Sequence, residues 1–168
     1  MPIVYQPGLS ALDVSRLESQ LRLRLPGDYK AFLSQANGLY LAAPDFSELA
    51  LASVPGAVIS FDRLFGVLPG EEYHDLASFN DEFIGELDCL RAVTAIGEDG
   101  GGNPYVLVQD AGREGVYYWD RTQLHQAAAG NAHDMAEQRL FCVAPNFQAF
   151  HGLIMESLAD SAEWLLET

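Results

Sequence analysis

The sequence predicts an α+β domain, a central antiparallel or mixed sheet flanked by helices. Three observations carry this. Two segments with helical periodicity occupy residues 10–38. A run of short β-rich segments separated by glycine turns occupies 92–119. A further helical pattern starts at Phe147. No regular strand–helix alternation links them, which argues against a doubly wound parallel sheet. A chain of 168 residues, 49% of them apolar, builds one core, and no internal repeat or low-complexity linker divides it, so 1–168 reads as a single domain.

The elements follow in order. Ser10-Ala11-Leu12-Asp13 has the form of a capping box, in which the serine accepts from an unpaired backbone N–H and the acid sits in the first turn. Val14, Leu17, Leu21 and Leu25 then recur at three, four and four, one face of a helix that Pro26 stops. Tyr29, Phe32, Leu33 and Ala36 mark a second helix, with Asn37-Gly38 as its left-handed end. Residues 39–56 read as loop with at most one short strand. Val58 to Phe61 and Leu64 to Leu68 are rich in β-formers and make one strand or two. Leu76, Phe79, Phe83 and Leu87 predict a third helix over 75–87, and Ser78-x-x-Asp81 offers a second capping box within it.

Strands are expected at 92–96, 105–108 and 116–119, joined by turns at 98–103 and 110–115. Short turns favour antiparallel neighbours. A short helix over 122–129 closed by Gly130, a strand at 140–143 and a long helix through Phe147, Phe150, Ile154 and Leu158, extended through Trp164 and Leu165, complete the reading.

Charge is the chain's strongest compositional bias. There are 24 acidic residues against 9 basic ones, a net of −15, and Lys30 is the single lysine. Such a chain repels phosphates and anionic lipid, so neither nucleic acid nor a membrane surface is expected as a partner. Its 18 aromatic residues argue against disorder. The acids cluster: residues 71–88 hold seven carboxylates and no Lys or Arg, and 156–167 hold four more. A solvated helix face explains most charge runs, but a face without counter-charges forgoes the usual i,i+4 pairs and so suits a basic partner.

The motifs of catalysis are missing. The Gly100–Asn103 turn is followed by a strand and preceded by Glu98 and Asp99, the wrong setting for a phosphate cradle. His74, His125, His133 and His151 lack metal-binding spacing, although His74 beside Glu72 and Asp75 forms a loose cluster. Cys89 and Cys142 lie far apart and are expected to be small buried hydrophobes. No nucleophile elbow occurs. No catalytic residue, cofactor or metal site is therefore assigned. With no basic, apolar leader pattern and no apolar run near twenty residues, a cytoplasmic location is expected.

Four segments resemble the SUKH superfamily, which includes SMI-type fungal cell-wall regulators and many bacterial toxin-immunity proteins. They are LPGDYKAFLSQANG at 25–38, IGEDGGGNPYVLV at 96–108, GVYYWD at 115–120 and VAPNFQAFHGLI at 143–154. They come in the family's order and span nearly the whole chain. The departures are the insertion at 122–138 and the acidic segment before Leu90. The resemblance implies a SUKH-like α+β fold and a non-catalytic role, and it marks Pro26, Gly38, the Gly100–Asn103 turn, Phe147 and Phe150 as fold residues.

With the charge, it leads to the expectation of an immunity protein that neutralises a basic toxin domain, such as a nuclease. The expected contact residues are Glu71, Glu72, Asp75, Asp81, Glu82 and Asp88, with Glu98 and Asp99 in second rank. Two other readings are carried: an SMI-type regulatory scaffold that binds a host protein, and an enzyme acting on a small cationic substrate. The partner's identity and the oligomeric state are not legible in the sequence.

Overall fold

The computed structural model describes residues 1–71, 73–122, 139–158 and 162–167. Glu72, His125, His133, Asp160 and the expected short helix from residue 123 onward lie outside these residues.

The chain opens with β1 (Pro2–Pro7), then α1 (Ala11–Leu21), α2 (Gly27–Gln35), β2 (Ala36–Leu41), β3 (Ser47–Ala50), β4 (Val58–Phe61) and β5 (Arg63–Leu64). It continues with α3 (Leu76–Phe83), a 3₁₀ turn (Ile84–Leu87), β6 (Val93–Glu98), β7 (Pro104–Val108), β8 (Gly115–Trp119), β9 (Leu140–Ala144), α4 (Phe147–Leu158) and β10 (Glu163–Leu166). Eight strands form one sheet in the order β10-β1-β2-β5-β6-β7-β8-β9, and β3 pairs with β4 in a separate ribbon. All ladders are antiparallel except β1–β10, which is parallel. The expected α+β class with a mixed sheet is what the chain builds.

Ser10 caps α1 as expected, accepting from the Asp13 N–H at 3.2 Å. The helix ends earlier than Pro26. Arg22 takes a left-handed φ of 54° and its N–H returns to Glu18 O. Leu25 is nevertheless buried, because the Glu18 carboxylate reaches back to its N–H at 2.8 Å and folds the corner inward. That bond, with Lys30 and Arg24 alongside, holds Glu18 below the usual carboxylate range despite its burial.

The second helix stops at Gln35, and Asn37-Gly38 lies inside β2 rather than in a cap. Gly38 does have a positive φ, +77°, but uses it within the strand, where an added Cβ would stand 2.7 Å from Gly66 N and 2.8 Å from Leu64 O. The conformational signal in the sequence is real; its setting is a close strand crossing. α3 starts at Asp75, whose side chain accepts from Ser78 N, so the cap precedes the Ser78-x-x-Asp81 box. The last helix ends at Leu158, and Trp164 and Leu165 belong to β10.

Aromatic rings dominate the core beneath α2 and α4. Tyr29 and Phe147 lie 4.7 Å apart between ring centres, Phe32 and Phe147 5.2 Å, and Tyr105 and Phe150 4.9 Å. These are distances at which aromatic pairs add to simple burial. A second group, Phe65, Phe79 and Phe83, seats α3. Of the two cysteines, Cys89 is half-buried and Cys142 exposed, and neither forms a disulfide, so neither is the buried hydrophobe expected. Among the described residues, no helix is long and apolar enough to cross a membrane.

Candidate functional site

Strand register brings together residues far apart in the chain. Leu165 pairs with Val4, Val4 with Tyr40, Tyr40 with Arg63 and Arg63 with Glu98. Paired residues share a sheet face, so one row of side chains crosses five strands. A groove of about 240 Å³ opens on this face, lined by Gln6, Tyr40, Arg63, Glu71, His74 and Glu167 among others.

Charges in and behind the groove are interlocked. Arg63 Nε is 2.8 Å from Asp62 Oδ2 and 3.7 Å from Glu98 Oε1, and its guanidinium lies 5.6 Å from the Tyr40 ring centre. His74 Nδ1 is 3.8 Å from Glu71 Oε2, and Nε2 is 3.8 Å from Glu98 Oε1. Across the groove, Glu167 accepts from the Tyr40 hydroxyl at 3.3 Å and from Gln6 Nε2 at 3.4 Å.

The Glu98 side chain is only 15% exposed. Burial pushes its carboxyl up to about 7, with Asp62 and Asp99 pushing the same way and Arg63 opposing. Burial, with Arg63 nearby, lowers His74, which favours the neutral imidazole at pH 7. Among the described residues no group of three or more His, Cys, Asp or Glu is placed to hold a metal ion; Glu72, the third member of the loose His74 cluster, lies outside them. Chemically, the groove offers carboxylates at its rim, an aromatic wall and a partly protonated acid behind it, a setting for a cationic group.

The residues expected to meet a partner separate into two kinds. Glu71, Asp81, Glu82 and Asp88 are exposed, Glu71 at 61% of its side chain. Asp75 and Asp99 are buried. Asp75 accepts from Leu68 N at 2.7 Å, Ser78 N at 2.9 Å and Ser78 Oγ at 2.8 Å, fixing the start of α3. Asp99 accepts from Gly101 N and Asn103 N, both at 2.8 Å, from Asn103 Nδ2 at 2.9 Å and from the Tyr118 hydroxyl at 2.7 Å. It organises the glycine turn, which is therefore a structural turn, and has no surface to offer.

The acidic segment also gains a counter-charge that its own sequence lacks. Arg121 reaches Glu86 at 3.0 Å while stacking 4.7 Å from the Phe83 ring centre. Among the described residues, no Lys or Arg pairs with Asp81 or Glu82.

Tyr40, Arg63 and Glu167 went unnoticed in the sequence. The alternation of Leu39-Tyr40-Leu41 was the available signal, and the apparent helix end just before it hid the strand.

The fold, the glycine turn and the helix corner agree with one family. The model of the SMI1 / KNR4 family (SUKH-1) matches residues 8–152. The chain belongs to this family. A comparison with curated proteins gives no match. The SUKH-1 match takes in α1 through the first half of α4 and leaves β1 and β10 outside.

Proposed function

We propose that this SUKH-1 domain is an immunity-type binding protein that neutralises a basic toxin domain by covering it with the acidic surface around α3. The observation that carries the reading is the placement of Asp81 and Glu82. They are exposed on α3, unpaired with Lys or Arg among the described residues, and flanked by exposed Glu71 and Asp88 on a chain of net charge −15. A toxin that grips nucleic acid must present cationic surface. An opposed acidic face raises the encounter rate and can occupy the substrate site. Asp75 and Asp99 are left out of the contact set, since their oxygens already serve the fold.

The test is capture of partners on the full-length protein followed by mass spectrometry, then association kinetics across a salt series. A basic toxin domain whose association slows steeply with salt supports the reading. Capture only of host regulatory proteins supports the scaffold alternative.

The groove favours a second reading. Glu98, with a carboxyl near 7 behind Arg63 and His74, suits a site for a small cationic ligand. Titration with arginine amide, followed by NMR at the Tyr40 and His74 rings, separates the two. Shifts that saturate and vanish in Glu167→Gln support a small-ligand site; unmoved rings leave only the protein-binding reading.

A further inference from the structure

The sheet ends on an unusual edge. Among the described residues, β10 is the outermost strand and hydrogen-bonds to β1 alone, through bonds that include Glu163 N to Met1 O at 3.0 Å and Glu167 N to Tyr5 O at 2.9 Å. In a parallel ladder alternate residues face the neighbouring strand. The N–H and C=O groups of Trp164 and Leu166 therefore point away from β1, to the open side. Natural edges are normally blunted by charge, proline or a covering element. Here Trp164, Leu165 and Leu166 are exposed at 48%, 42% and 52%.

Carboxylates bracket this apolar stretch. Glu163, Leu165 and Glu167 share one face by strand alternation, and Trp164 and Leu166 the other, where Trp164 packs edge-on against Tyr5 at 6.0 Å. Glu167 is held in place by the neutral donors Tyr40 and Gln6.

We infer that β10 is a docking strand that takes up an extended segment of a basic partner, with Lys or Arg opposite Glu163 and Glu167 and apolar side chains between. Backbone bonds from Trp164 and Leu166 supply the pairing, and alternate side chains supply the selectivity, as in strand-addition complexes generally. The Glu-Trp-Leu-Leu-Glu pattern reads alike in both directions, so the charges fit a parallel or an antiparallel guest. A second copy is the wrong occupant. Antiparallel β10–β10 pairing centred on Leu165 sets Glu163 against Glu167, and like charges directly opposite are unfavourable. The edge also lies outside the residues matched by the family model, so it is not part of the segment on which membership rests. The guest's basic character rests on the proposed function; the open edge does not.

The test uses the full chain and a peptide with a Lys-Val-Ile-Val-Lys core, read by amide hydrogen exchange. The Trp164 and Leu166 amides should gain about tenfold or more protection at saturation. Trp164→Pro removes an N–H that faces solvent, a place where an edge tolerates proline. It should abolish the protection at Leu166 and lower the melting temperature by only a few degrees, through the lost contact with Tyr5. A peptide N-methylated on its pairing edge should fail against the unaltered protein, which keeps the test sound if the proline variant folds poorly. Glu163→Lys with Glu167→Lys should switch preference to a Glu-Val-Ile-Val-Glu core.

No protection, binding by the N-methylated peptide, or protection that grows with protein concentration alone would overturn the inference, the last in favour of a second copy. Toxin binding lost in Asp81→Lys/Glu82→Lys but untouched by Trp164→Pro keeps the proposed function and removes this one. Peptide docking without any toxin partner does the reverse.

Discussion

Asn80 closes a two-bond ring on the backbone of Ala95: its Oδ1 accepts the Ala95 N–H at 2.7 Å and its Nδ2 donates to the Ala95 carbonyl at 2.9 Å. Both residues are buried. The side chain does what a neighbouring strand would do, and so fastens α3 to β6. Asn37 repeats the device on Val67, at 2.7 and 2.9 Å, and fastens β2 to the loop that leads to the acidic segment. These two amides hold the acidic segment and the groove in fixed relation to the sheet.

Asn80→Ala should therefore be among the more damaging single changes. It leaves two buried backbone groups without partners, at roughly 1–3 kcal/mol each. Urea unfolding should show a lowered midpoint with an unchanged slope, a loss of about 2–5 kcal/mol in total. A loss within experimental error would mean that α3 is held by its aromatic contacts alone.

Asp75 and Asp81 are six residues apart and should behave oppositely. Asp75→Ala removes a helix cap, worth about 0.5–2 kcal/mol, and also strands Leu68 N, so thermal unfolding should come several degrees earlier. Asp81→Lys should leave the transition within a degree or two, as exposed changes away from such features usually do. Equal effects at the two positions would contradict their different placement.

Glu98 sets a pH dependence with a definite sign. Unfolded, its carboxyl titrates near 4.5; in the fold it titrates near 7. Between these values the native state holds a proton that the unfolded chain has released, so raising the pH across this window favours unfolding. Glu98→Gln stays neutral throughout. Its stability relative to the parent should rise from pH 4.5 to 7 by up to about 3 kcal/mol, at 1.36 kcal/mol per pH unit. Lost attraction to Arg63 offsets part of this at the upper end. Paired urea titrations at pH 4.5 and 8 make the comparison, and a variant-minus-parent stability that stays flat or falls with rising pH would contradict the burial assigned to Glu98.

Close strand crossing makes Gly97 intolerant. An added Cβ would stand 2.2 Å from Arg63 O, on the ladder that joins β5 to β6. Gly97→Ala should lower the denaturation midpoint and also disturb the groove, seen as shifts in the NMR signals of Tyr40 and His74. A fully native spectrum at these rings would show that the crossing can open without cost.

The sequence was most legible where neighbours in the chain are neighbours in space. The Ser10 cap, the helix corner at Pro26 and the three strands around the glycine turn depend on local periodicity and turn chemistry. What escaped is set at long range. β1 is bounded by Pro2 and Pro7, which read as breakers although Ile3 is fully buried. β10 continues an apolar pattern from α4 and so passed for helix. The same limit applies to the site. Composition located the carboxylates, but only the fold shows that Asp75 and Asp99 point inward, and only strand register brings Tyr40, Arg63 and Glu98 into one row.

The central claim is that the exposed acids around α3 bind and neutralise a basic toxin domain. Co-expression of this protein with a toxin domain captured on it, scored by cell survival, tests this most directly. The parent protein should rescue growth, and the folded variant Glu71→Lys/Asp81→Lys/Glu82→Lys should not, with association slowed at low salt and its salt dependence flattened. Rescue undiminished by this variant, with the association rate unchanged across the salt series, would contradict it.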